Sequence, residues 1–302
     1  ILFSQYLNFI LFIFGAYCFY RLIFLRYKET SLALLGTIFL ILSPRIFGDA
    51  FYNTKDLAFL SFIVIASYTL VRCLYQPSTI NCVLHAITTA LAVDVRIMGA
   101  LIIGMTCLGF LVQVFLREKS PVAFFKQTST YLLFTFGFVI LFWPWLWFDP
   151  LGNFLEAFQN MSKFRTNLNM LFFGDLVWSG NLPWFYIPTW ISITTPLPYL
   201  VLFLVGVFSL IKPYKTTNSN EKLQDYLFIT LFILPIILVI ALNSVVYNGW
   251  RHLYFVYPAL IYFSVRGYAY LTNLLSKKVF LNIFRAVIFT SLCSIAFWMA
   301  KD

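Results

Sequence analysis

The stretch SPRIFGDAFYNTKDLAFLSFIVIASYTLVR, residues 43–72, decides how this chain is read. It opens as a polar hinge, broken by Pro44 and carrying Arg45, Asp49, Lys55 and Asp56. From Leu57 onward no charge appears until Arg72. An uninterrupted apolar run closed by a basic residue reads as a membrane helix that leaves the bilayer at its arginine.

The rest of the chain repeats that pattern. Of 302 residues 61% are hydrophobic and 11% charged, and the mean hydropathy is +0.86. A soluble domain carries about 25% charged residues, because its whole surface faces water. This composition demands lipid. Spans are expected at about 5–25, 31–42, 57–72, 80–93, 97–115, 126–147, 196–211, 226–242, 253–271 and 280–299. The expected fold is therefore all-α, one polytopic bundle of about ten spans filling residues 1–302. Between residues 149 and 195 lie Trp178, Trp184, Phe185, Tyr186 and Trp190, amphipathic aromatics suited to the headgroup level. Short interfacial helices are expected there.

The net charge of +10 comes from basic residues scattered between apolar runs, which argues for loops obeying the positive-inside bias and against a nucleic-acid surface. With alternating crossings, fourteen Lys and Arg fall on one side and seven on the other, so the first side is expected to be cytoplasmic. Asp49, Asp56, Asp94, Asp149, Glu156 and Asp175 all fall on the outer side. A charge beside hydrocarbon costs a few kcal/mol unless it is paired or wetted. Asp56, Asp94 and Arg96 lie tight against apolar runs and read as lining a polar cavity; Asp149 and Glu156 read as loop charges. The five cysteines show neither metal-ligand nor disulfide spacing and read as packing residues, as does His85, alone in an apolar span. The chain opens at Ile1 inside an apolar run, with no signal-peptide features, so an upstream segment is expected.

Four outer-side segments stand out: residues 43–56; Asp94-Val95-Arg96-Ile97-Met98-Gly99; Gly180-Asn181-Leu182-Pro183-Trp184-Phe185-Tyr186-Ile187-Pro188; and Asn248-Gly249-Trp250-Arg251-His252. In this order they resemble the GT-C fold membrane glycosyltransferases, nearest to the superfamily of protein O-mannosyltransferases and lipid A aminoarabinose transferases. The likeness covers nearly the whole chain, and residues 43–56 are its most specific part. It implies an enzyme of the bacterial inner membrane or endoplasmic reticulum. That enzyme would transfer a sugar from a polyprenyl-phosphate carrier to a protein, lipid or glycan acceptor on the lumenal or periplasmic side.

Such a reaction needs cations, or a metal ion, on the leaving phosphate. Lys55, Arg96 and Arg251 are the candidates, with His252 beside them. Arg251 reads equally well as a snorkelling interfacial residue. The resemblance assigns the general base to an acid of the family's first outer loop, which precedes residue 43 and is expected to be missing here. Asp56, and less specifically Asp49, match second-loop acids that shape the site or help hold a metal. Asp56 is expected to pair with Lys55 or Arg96, to bind a divalent ion, or to cap its helix. Asp94 and Arg96 read as a structural ion pair. Trp184 and Tyr186 are expected to touch the acceptor or the isoprenoid chain. Two other readings remain: a transporter or flippase, which would place its charges near the midplane, and a catalytically silent subunit of a membrane complex. P-loop, Rossmann, zinc and Ser-His-Asp patterns are absent.

Overall fold

The computed structural model describes residues 2–162, 168–212 and 217–301. Three basic residues used in the orientation argument, Lys163, Arg165 and Lys215, lie outside them. The chain is a helical bundle. Its helices are α1 (Leu2–Tyr27), α2 (Thr30–Ile41), α3 (Pro44–Asp49), α4 (Asp56–Tyr75), α5 (Thr79–Val95), α6 (Ala100–Phe115), α7 (Pro121–Phe142), α8 (Pro150–Ser162), α9 (Tyr186–Thr194), α10 (Leu197–Ile211), α11 (Ser219–Ala241), α12 (Tyr257–Leu274) and α13 (Lys278–Lys301).

Six of these are long and apolar enough to cross a membrane unaided: α1, α4, α6 with its preceding 3-10 turn, α7, α11 and α13. A seventh crossing follows if α9 and α10, bent by 119° at their junction, count as one broken span. Length and composition thus support six or seven crossings. Of the remaining expected spans, α2 has 12 residues and α5 has 17. The shortfall of α12 has another cause. Four tyrosines and Arg266 lower its apolarity, yet most of its residues are buried among α2, α10 and α11. A helix wrapped by protein need not be greasy, because it never meets lipid. By contrast α13 is apolar and almost wholly exposed, as a lipid-facing helix should be.

The α10–α12 contact is made by glycines. A Cβ on Gly206 would strike the Phe263 carbonyl, and one on Gly267 the Leu202 carbonyl. Small residues let two backbones touch where lipid gives no hydrophobic drive to association.

Between residues 149 and 195 the expected interfacial helices are present as α8 and α9. Helix α8 puts Leu151, Leu155 and Phe158 on its exposed face. An element the sequence reading lacked lies between them, an antiparallel hairpin of β1 (Asn169–Phe172) and β2 (Asp175–Trp178). Its two-residue turn, Phe173-Gly174, has positive φ at both positions (52° and 92°), which glycine supplies without strain at the second.

The two ends of the bundle are both polar. Asn8, near the start of α1, donates to the carbonyl of Ala50 at 2.8 Å, while Arg26 at its other end binds Asp225. Eighteen residues of helix separate them, about 27 Å of rise, close to the thickness of a bilayer core.

Candidate functional site

The site is built on the first turn of α4. Pro44 starts α3, where its fixed φ suits the N1 position and its missing N–H costs nothing. Ser43 before it donates to the Phe39 carbonyl at 2.7 Å and contacts the Tyr257 hydroxyl at 2.8 Å, which ties the hinge to α12. After α3 the chain turns back, and Asn53 prepares the next helix. Its Oδ1 accepts the Asp56 N–H at 2.9 Å while its Nδ2 donates to Asp56 Oδ2 at 2.9 Å. The capping role considered for Asp56 thus falls to Asn53, three residues earlier. That leaves the Asp56 carboxylate for other partners.

Those partners are arginines. Asp56 is only 5% exposed. Its Oδ1 accepts from Arg96 Nη2, and its Oδ2 lies 3.7 Å from Arg251 Nε. Arg96 reaches it from the break between α5 and α6. Gly99 permits that break: a Cβ there would come within 2.5–2.7 Å of the Ala92 and Val93 backbone at the end of α5. Arg251 arrives from the loop after α11. Asn248 and Gly249 both take positive φ (56° and 71°), and a Cβ on Gly249 would meet the Trp190 ring at 3.5–3.8 Å. Buried Trp250 anchors the turn by donating to Thr194 Oγ1 at 2.8 Å.

Around this carboxylate positive charge is in excess. Arg96 and Arg251 face one acid, and exposed Lys55 adds a third cation close enough to act on His252. Two guanidinium N–H groups, Arg96 Nε and Arg251 Nε, are buried and make no hydrogen bond, since 3.7 Å is too long for one. Burial, together with the neighbouring Arg251 charge, pulls Arg96 below its ordinary value, and a guanidinium nonetheless stays charged. His252 is pushed down to about 4 by burial first, then by the charges of Arg96, Arg251 and Lys55. Its imidazole is therefore neutral at physiological pH.

The candidates do not all converge. Asp56, Arg96, Arg251 and His252 share one cluster with Lys55 at its edge. Asp49 sits apart, 3.8 Å from Arg45 Nε, and Arg45 in turn donates to the Tyr254 hydroxyl at 2.5 Å. Asp94 is not the partner of Arg96, which takes Asp56 instead; the expected Asp94–Arg96 pair is not formed. Trp184 and Tyr186 line a separate open cleft with Asn243, Ser244 and Val246. Trp184 is 69% exposed at its rim, whereas Tyr186 is buried against Phe172 and Trp190.

Two members of the cluster escaped sequence reading. Tyr247 lies under Arg251, its ring centroid 4.7 Å from the guanidinium carbon, and meets the His252 ring edge-on at 4.5 Å. No periodicity marks it. Asn53 was findable, as a capping residue three positions before an acid that opens a helix. Among the described residues no group of three or more His, Cys, Asp and Glu gathers that could hold a metal. No protein-family model matches the chain, and a search of curated proteins returned no match.

Proposed function

We propose that this chain is a membrane glycosyltransferase that moves a sugar from a polyprenyl-phosphate carrier to a hydroxyl acceptor at the non-cytoplasmic end of the bundle. The observation that carries the reading is the excess of cations on Asp56, with two buried guanidinium N–H groups left unspent. Such a cluster suits an anion. In the reaction the acceptor oxygen forms a bond to the anomeric carbon, the carbon–oxygen bond to phosphate breaks, and the phosphate leaves with the electron pair. Arg96 and Arg251 would stabilise that charge as it develops. Arginine fits the task, since its planar fork binds phosphate oxygens in pairs.

Asp56 is a positioning residue in this scheme. Both arginines and Asn53 already grip it, so the acceptor's proton goes elsewhere, by the family resemblance to an acid of the first outer loop. The same crowding of cations makes Asp56 a poor seat for a divalent ion, and no step is routed through one. Neutral His252 can donate or accept one hydrogen bond to a phosphate oxygen without adding charge. A transporter is less well supported, because these charges gather at one end of the bundle and not at its middle.

The test incubates membranes containing the full-length protein with radiolabelled polyprenyl-phosphate sugars and acceptor extracts. Transfer of label is expected, with R96A and R251A each lowering the rate by about 100-fold or more, the scale of a lost transition-state donor. Failure of the wild type to consume any such donor would overturn the reading.

A further inference from the structure

At the other end of α4, some twenty residues and about 30 Å from Asp56, a cavity of about 200 Å3 opens between the starts of α5 and α7. Its walls mix apolar and polar groups: Pro77 and Cys82 lie beside Ser78 and Thr79 on one side, and Ala123 beside Lys126, Gln127 and Thr130 on the other. Lys119 stands behind it, donating to Gln127 Oε1 at 2.5 Å and resting over the Phe110 ring. Glu118 offsets part of the Lys119 charge but does not line the cavity. Helices α5 and α7 both begin at this rim, capped by Ser78 and Ser120, so two positive helix ends add to the ammonium groups.

The surface beneath is apolar. Helix α7 is mostly unburied along its length, exposing Leu133, Phe136, Ile140 and Leu141, and α5 adds Ile80 and Leu84. A recess lined by a lysine and three hydroxyls, directly above a lipid-facing helix, has the layout of a phospholipid, headgroup over tails. A recess for a soluble anion would need no such skirt. We infer that this cavity binds the phosphate headgroup of an anionic phospholipid, with Lys126 and the hydroxyls of Ser78, Thr79 and Thr130 on the phosphate and the acyl chains along α7. Basic pockets between membrane helices take such headgroups on the cytoplasmic side, the side to which the basic loops assign this end. The site is independent of the sugar-transfer reading.

The test is native mass spectrometry of the purified full chain in detergent, titrated with phosphatidylglycerol, with phosphatidylcholine or with inorganic phosphate. Phosphatidylglycerol is expected to bind at least tenfold more tightly than phosphatidylcholine. K126A should erase most of that preference, while K277A at the start of α13 should keep it. Equal affinity for the two lipids would overturn the proposal, because only a boundary lipid would then be held. So would full phosphatidylglycerol binding by K126A, or competition by inorganic phosphate at the concentration of the lipid, which would mark a site for free phosphate.

Discussion

At Asp56 a carboxylate shut away from water holds two arginines, each with a buried Nε–H that makes no hydrogen bond. Its function in the proposed reaction is to aim them. D56N is expected to leave the chain folded, since Asn53 still caps α4, but to lower sugar transfer at least tenfold by releasing both guanidinium groups. Transfer at the wild-type rate would refute that role. His252 makes a second prediction at this scale. With a folded value of about 4 against an ordinary 6.5, the unfolded chain takes up this proton first as pH falls. Stability from His252 is therefore complete above about pH 6.5 and is lost between there and about pH 4. The melting temperature of the wild type should fall more steeply than that of H252N across this window. Parallel curves would show that the imidazole is not held neutral. Sequence order alone brought Asp56, Arg96, Arg251 and His252 into view, because each adjoins an apolar run on one side of the membrane. Tyr247 was not legible, since a cation–π contact leaves no spacing in the sequence.

Among the elements, helices were easier to see than crossings. The apolar runs match α1, α4, α6, α10 and α13 to within about three residues at each end, whereas α7 runs five residues earlier than expected and α11 begins seven residues earlier, in a polar first turn. Helix α12 and the hairpin β1–β2 were harder. The first is buried by protein and so is free to carry tyrosines; the second depends on a two-residue turn in a stretch rich in aromatics. Burial does not by itself fix hydropathy here: α4 is the most buried of the six long apolar helices and is still strongly apolar, whereas buried α12 carries four tyrosines and Arg266. The α10–α12 seam gives the prediction for this scale. G206L or G267L must push apart backbones already in contact, which overpacking costs put at about 1–3 kcal/mol or more. Denaturant unfolding of the detergent-solubilised protein should show that loss. An unchanged midpoint would mean that the two helices do not meet at these glycines.

Across the whole molecule the two polar ends are built differently. At the end opposite Asp56, Asp225 binds Arg26 at 3.0 Å and also binds Arg266 and the Tyr262 hydroxyl. Glu221 adds a second acid 3.2 Å from Arg26, and Arg266 donates to Ser209 Oγ at 2.7 Å. Two acids balance two arginines, so this knot is neutral and closed, joining α1, α10, α11 and α12. Counting charges for orientation hides it, because Arg26 and Arg266 then look like ordinary loop cations. D225N strips one partner from two buried arginines and should cost about 3–5 kcal/mol of stability. Wild-type melting of that variant would contradict the knot's structural role. The Asp56 end is the reverse, with cations in surplus and donors to spare. On the proposed function, that asymmetry separates a scaffold end from the candidate site. It is tested most directly by equilibrium binding of a polyprenyl phosphate to the purified chain, comparing wild type with the R96Q/R251Q double variant. Charge-assisted hydrogen bonds are worth about 1.5–3 kcal/mol each, so the double variant should bind roughly 100-fold more weakly or worse while remaining folded. Equal affinity in the two proteins would contradict the account.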